Sequence, residues 1–335
     1  MTQNLHPLLQ RAQTHGIHFE MKGAVAMVRL SRPAKRNALN DGLVEALRDV
    51  FQNLPEEAKS AVVYGEGDHF CAGLDLSELK ERVTQLKPRW ILNAAAYTAV
   101  DKAESEPDRA AAINATAPGV LAKQAQRLDA LLIHYSTDYV FDGTQSTPYT
   151  EADRTNPQSV YGATKLAGET AIQQQGARHL ILRTSWVYGI HGQNFPKTML
   201  RLAAERETLN VVADHWGAPT SASLLANVTA QLLSQPITAA QSGVYHVSAS
   251  GRTNWHAYAC RVIERARALG WPLKVASQAV NAIPSSAYPT PAKRPPSGCL
   301  NTTKFQETFG IYLPSWDSEV DAFVNALHAE RETTR

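Results

Sequence analysis

Tyr161 and Lys165, in the run VYGATKLAGE, are the residues whose types and spacing best suit chemistry. They stand four apart, which is about one helical turn, so both side chains share a helix face. A free phenol titrates near pH ~10, too high for proton transfer at neutral pH. A neighbouring ammonium favours the phenolate and brings that value down. Such a pair can pass a proton to or from a substrate oxygen. Upstream, HYSTDYVFDG closes an apolar stretch with two hydroxyls, Ser136 and Thr137, either of which can hold the same oxygen. Hydride addition to a carbonyl suits this set, with hydride going to carbon and the proton to oxygen. A Tyr and a Lys at this spacing also decorate many exposed helices. The preceding strand with its Ser-Thr-Asp end sets this pair apart, as does the alternating pattern around it.

That pattern runs from Trp90 to the end of the chain. ILNAA, ALLIHYST, HLILRTS, TLNVVAD and GVYHVSA read as strands. Between and after them, 107–128, 161–175, 195–206, 222–234 and 255–269 read as helices, and 320–328 as a last one. Alternation of this kind predicts a doubly wound, Rossmann-like, mostly parallel sheet, in which ligands sit beyond the carboxyl ends of the strands. Three such ends carry polar or aromatic residues: Asn93 to Tyr97, Ser136-Thr137-Asp138, and Thr184-Ser185-Trp186. Together they would line one cleft. The Pro- and Ser-rich run AIPSSAYPTPAKRPPSG reads as a surface loop.

Before residue 90 the chain differs. GIHFEMKGAVAMVRLS alternates around Gly23 and predicts a hairpin. DGLVEALRDVF predicts a helix with an acidic start, SAVVYG a short strand, and SELKERVTQLKP an amphipathic helix ended by Pro88. Between the last two, Gly65, Gly67 and Gly73 mark a loop. No Gly/Ser-rich linker separates this part from the rest, so the join falls within a helix, somewhere in residues 76–88.

Composition limits the alternatives. The chain has 335 residues, 44% of them hydrophobic, enough for one large or two ordinary domains. A net charge of +2 with interspersed signs argues against nucleic acid or an acidic membrane surface as partner. Neither a signal-peptide core nor a run of membrane-spanning length occurs. Three unpatterned cysteines, Cys71, Cys260 and Cys299, fit a reducing, cytoplasmic setting.

Two resemblances follow from the motifs. Residues 88–330 resemble the dTDP-4-dehydrorhamnose reductases, which are extended short-chain dehydrogenases/reductases. NAAAYTAVDKAESEP, HYSTDYVFDGT, YGATKLAGE, RTSWVYG, NFPKTMLRLA, HWGAPT and AYPTPAKRP carry it. The resemblance implies NADPH or NADH as cofactor and a dTDP-sugar as substrate. It makes Tyr161 the proton donor, Lys165 the residue that holds the nicotinamide ribose and tunes Tyr161, and Thr137 the group that polarises the keto oxygen. Ala95, Ala96, Tyr97 and Thr98 would contact the cofactor. Lys102, Asp138, Tyr139 and Trp186 would line the sugar-nucleotide site, with Asn194, Phe195 and Arg294 towards the diphosphate end. The family also admits a homodimer and a Mg2+ at the dimer contact, although no ligand set stands out here.

The second resemblance covers residues 1–80. RPAKRNALN and GDHFCAGLDLSEL resemble the front of the crotonase (enoyl-CoA hydratase/isomerase) family. There the first loop packs along coenzyme A, and the backbone N–H at the position of Leu74 would supply one oxyanion-hole donor. The family's second donor and its carboxylates have no counterpart. The expected division is therefore a crotonase-like fragment over 1–82 and a reductase-like domain over 83–330. The reductase family's own front, a strand, a Gly-rich turn and a helix that cradle the pyrophosphate, is missing. Gly65, Gly67 and Gly73 could imitate that turn, and Asp75 could stand near the adenine. This expected gap predicts weak cofactor binding. It keeps two other readings open: a dTDP-sugar-binding protein without catalysis, and an acyl-CoA-binding remnant.

Overall fold

The computed structural model describes residues 12–35, 37–38, 40–58, 60–66 and 76–333. It divides into two compact units, Met1–Lys87 and Pro88–Arg335.

The first unit holds strands β1 (Ile17–Lys22), β2 (Val25–Leu30) and β3 (Ser60–Gly65), and helices α1 (Asp41–Gln52) and α2 (Leu76–Leu86). β1 and β2 form the expected hairpin across Gly23, with Ile17 opposite Leu30 and Phe19 opposite Val28. β3 adds in parallel to β2. Alternation puts Ile17, Phe19, Ala26, Val28 and Leu30 into a small core, and α1 covers it with Leu43, Ala46 and Val50. Asn40 caps α1, its side chain accepting from the Leu43 N–H at 2.8 Å. The loop with Gly67, Gly73, Leu74 and Asp75 lies outside the described residues.

The second unit is built around a four-stranded parallel sheet in the order β11-β6-β5-β4. It begins with β4 (Trp90–Asn93), α3 (Val100–Ala103) and α4 (Pro107–Ala111). A π turn over Ala112–Thr116 runs on into α5 (Ala117–Leu128), β5 (Leu131–Thr137), α6 (Val160–Gln174) and β6 (His179–Thr184). Then come β7 (Val187–Tyr188), α7 (Phe195–Glu205), β8 (Leu209–Val212), β9 (Trp216–Gly217), β10 (Thr220–Ser221) and α8 (Ala222–Leu233). The remainder is β11 (Gly243–His246), β12 (Thr253–Asn254), α9 (Trp255–Ala268), β13 (Val280–Ile283), α10 (Thr303–Phe309) and α11 (Trp316–Thr333).

The strands β5 and β6 are buried almost throughout, as strands covered on both faces are, with apolar residues in their first halves and polar ones towards their carboxyl ends. Leu131, Ile133, Leu180 and Leu182 pack with Leu225, Val228 and Leu232 of α8 and with Phe305 and Phe309 of α10. Each such side chain contributes about 1.5–3 kcal/mol by leaving water. Away from the sheet, α7, α9 and α11 pack on one another through Leu200, Tyr258, Val262, Phe323 and Val324. Beside them lies the β8–β13 pair.

Three elements depart from the sequence reading. The helix expected over 107–128 is interrupted by the π turn. The last helix begins at Trp316, earlier than expected, because Ser250 ties the Trp316 N–H at 3.0 Å. The expected surface loop near 282–298 contains part of β13 and is pinned back onto α3. Among the described residues no helix is long and apolar enough to cross a membrane.

Candidate active site

The site lies at the carboxyl end of β5, where α6 passes over it. Ser159 caps α6 and turns the chain so that its first turn faces the strand end. Two glycines let this helix approach. A Cβ on Gly162 would sit 2.2 Å from the Tyr139 carbonyl oxygen, and one on Gly168 would sit 2.1 Å from that of Asn114. The helix's inward stripe is Tyr161, Lys165 and Glu169, spaced four apart as the sequence predicted for its first two members.

Thr137 ends β5 and caps a short turn, its hydroxyl oxygen accepting from the Tyr139 N–H at 3.2 Å and donating to Asp138 at 3.0 Å. It also faces the Tyr161 phenol. Tyr139 meets the Tyr161 ring edge-on, with centroids 5.5 Å apart. Burial pushes the Tyr161 phenol up to about 12, and the nearby Thr137 hydroxyl pulls it back. Tyr161 is therefore protonated at neutral pH, the form a proton donor needs. Burial likewise lifts the Asp138 carboxyl to about 7.

Lys165 is 2% exposed. Its amine donates to the Tyr135 carbonyl at 2.6 Å and lies 3.3 Å from His134 Nε2. Burial pushes it down to about 8, and the Glu169 carboxylate pulls it back up. The expectation that Lys165 lowers the Tyr161 pKa is not met in this geometry. The amine is held inward against β5, and the group acting on Tyr161 in that direction is Thr137. Of the two hydroxyls, Ser136 turns elsewhere and bonds Glu169. Glu169 in turn grips Arg183 at 2.9 and 2.6 Å, and both side chains are almost wholly buried.

The loop after β4 places Ala95 and Thr98 on the surface, Ala96 partly buried and Tyr97 buried. Asn114 fixes this loop, accepting from the Tyr97 N–H at 2.8 Å and donating to its carbonyl at 3.1 Å. The sequence reading passed over Asn114. Its one local sign is a polar residue inside an Ala-rich helical run. The Tyr97 hydroxyl donates to Glu106, which also pairs with Lys102 at 2.9 Å, so Lys102 sits in a surface ion pair.

The other expected substrate residues divide in two. Trp186 follows β6 with a left-handed backbone (φ 48°) and stacks on Trp255 at 3.7 Å. Arg294 holds Asp101 through two bonds, 3.0 and 2.8 Å, close enough to Tyr139 to act on its phenol. Asn194 and Phe195 have contacts within the fold. Asn194 caps α7 and donates to the Gly189 carbonyl, and Phe195 packs on Trp255 and Tyr258. Among the described residues, no group of three or more His, Cys, Asp or Glu side chains is placed to hold a metal ion.

A parallel Rossmann-like sheet with a hydroxyl, a tyrosine and a lysine at its carboxyl edge is the arrangement of the short-chain dehydrogenases/reductases. Comparison with known proteins agrees and narrows it. The family model described as the RmlD substrate binding domain matches residues 48–329. The dTDP-4-dehydrorhamnose reductase of Escherichia coli (strain K12) is 53% identical over 260 residues, 77% of this chain and 86% of that one. That of Burkholderia thailandensis is 46% identical over 281 residues, 81% of this chain and 94% of that one. Among solved structures, the Bacillus anthracis dTDP-4-dehydrorhamnose reductase in complex with NADP aligns with a TM-score of 0.68 at 32% identity, covering 82% of this chain and 93% of that one. The chain belongs to the dTDP-4-dehydrorhamnose reductase family.

The residues present suit a nicotinamide cofactor. Beyond its bond to the Tyr135 carbonyl and its contact with His134 Nε2, the Lys165 nitrogen keeps one N–H for a ribose hydroxyl. Ala95, Ala96 and Thr98 would lie along the same ligand.

Proposed function

We propose that this protein reduces dTDP-4-dehydrorhamnose to dTDP-L-rhamnose with NADPH. The observation that carries the reading is Tyr161, protonated and facing Thr137, one helical turn from a buried Lys165. NADPH, when bound, supplies the hydride to the carbonyl carbon. Thr137 and Tyr161 hold the carbonyl oxygen, and Tyr161 gives it a proton. Lys165 fixes the cofactor's ribose. Tyr139, Trp186 and Arg294 would face the sugar nucleotide.

On the motif resemblance we read residues 1–82 as a crotonase-like segment in place of the family's Gly-rich first βαβ unit. Support for this comes from RPAKRNALN and GDHFCAGLDLSEL alone. On the same reading the cofactor's pyrophosphate loses several charge-assisted bonds of about 1.5–3 kcal/mol each. Losing two weakens NADPH by roughly two to four decades. A reducing cytosol suits the chain, whose described cysteines, Cys260 and Cys299, are both free.

Calorimetric titration with NADPH, dTDP and an acyl-CoA, followed by NADPH oxidation with the 4-keto sugar, tests the proposal. Turnover that disappears in Tyr161→Phe is expected. Heat with dTDP but none with NADPH, and no turnover, would replace it with a sugar-nucleotide-binding role. Heat with the acyl-CoA alone would favour the front segment as the functional part.

A further inference from the structure

His134 has no part in the chemistry described so far, yet it is wholly buried and both its ring nitrogens are engaged. It lies on β5 directly opposite Asn93 of β4, and residues paired in adjacent parallel strands point the same way. Hence Asn93 Nδ2 meets His134 Nδ1 at 3.0 Å, and His134 Nε2 meets Lys165 Nζ at 3.3 Å.

The proton positions in this chain follow from one end. The Ala95 N–H donates to Asn93 Oδ1 at 3.2 Å, so that atom is the amide oxygen. The other end of the amide is then NH2 and donates to Nδ1. A neutral imidazole accepting at Nδ1 carries its proton on Nε2. That N–H points at the Lys165 nitrogen, which must offer a lone pair. The arrangement therefore suits the neutral amine and opposes the ammonium, whose three hydrogens would face another hydrogen. To accept from an ammonium, His134 must move its proton to Nδ1, and Asn93 must turn its amide over and release the Ala95 N–H.

We propose that Asn93 and His134 are positioning residues that couple the protonation of Lys165 to the 94–98 loop, through a change of imidazole tautomer. The inference rests on the reductase reading only in giving Lys165 a functional role. The charged and titratable groups placed against the amine are Glu169 on its own helix, His134 on β5, and Arg183 on β6 acting through Glu169. None of them replaces the His134 contact. His134 itself stays uncharged, because burial and Lys165 both hold its pKa well below the usual range.

The test is nitrogen-15 NMR of the histidine rings in the full chain without ligand, from about pH 6 to about pH 10. His134 should carry its proton on Nε2 at high pH and on Nδ1 at low pH, without becoming an imidazolium. The midpoint should equal that of the Lys165 amine measured in the same titration. In Lys165→Met the Nε2–H form should persist throughout. His134→Gln, whose oxygen only accepts at that position, should raise the Lys165 midpoint by about one unit and move the pH dependence of NADPH affinity with it. An unchanging tautomer in the parent protein, or an imidazolium, overturns the proposal. These signals need no turnover, so a chain that fails to oxidise NADPH would refute the reductase reading while leaving this test intact.

Discussion

Replacing Tyr161 by phenylalanine removes one oxygen and leaves its surroundings satisfied. Thr137 keeps its bonds to Asp138 and to the Tyr139 N–H, and the ring keeps its edge contact with Tyr139. No buried polar atom is orphaned, so stability should change by less than about 1 kcal/mol. Lys165 remains tied to the Tyr135 carbonyl, and NADPH affinity should hold within about threefold, or less than 1 kcal/mol. The rate should not survive. A positioned general acid contributes roughly 10²–10⁴, equivalent to about 2.7–5.5 kcal/mol of barrier. The assay is loss of reduced-nicotinamide absorbance with the 4-keto sugar, run beside a thermal melt and a cofactor titration. A variant that folds, binds NADPH and still turns over within tenfold of the parent refutes Tyr161 as the donor. A collapsed melt would show that the phenol is structural, contrary to the contacts above.

Other outcomes follow from the same geometry. Asp138 has its carboxyl raised from 3.8 to about 7, so the folded state binds a proton the unfolded chain has lost. Stability therefore falls as pH rises between those values, by on the order of 4 kcal/mol. Asp138→Asn should remove that slope, and urea melts of both proteins at pH ~4 and ~7 measure it. Glu169→Leu strands the buried Arg183 guanidinium and should destabilise by about 3–5 kcal/mol, with Glu169→Leu/Arg183→Met recovering most of the loss in the same melts. Arg294→Ala breaks an ion pair that is partly exposed, with side-chain exposures of 25% and 40%, and should change stability by under about 1 kcal/mol. If Arg294 faces the substrate, KM should nonetheless rise about tenfold, and an unchanged KM removes it from the site.

What the sequence disclosed about this site was local. Tyr161 and Lys165 are spaced by the helix itself, and Thr137 by the strand that ends there, so period and turn chemistry were enough to find them. The hairpin at Gly23 and the parallel sheet from β4 to β11 were legible for the same reason. The partners that decide what those residues do lie far along the chain. Asp101 and Arg294 are separated by 193 positions, and Asn93 and His134 by 41. No periodicity reports such pairs. Asn194 and Phe195 carry two signs at once. A family motif marked them for a ligand, whereas an Asn before a Phe-Pro start is also a helix cap, and the fold uses it as one.

The π turn at Ala112–Thr116 makes one stretch of helix intolerant of length changes. A π turn accommodates one residue more than the α-helix would there. Deleting a residue from it would give a more regular and better-bonded helix. The flanking turns would keep their phase, while the residues within the turn would change direction. Asn114 would swing off the Tyr97 backbone, and its carbonyl would leave the space that Gly168 keeps open. In a library of single deletions across residues 107–128, losses inside the turn should give well-folded chains that no longer bind cofactor, and losses outside it should simply unfold.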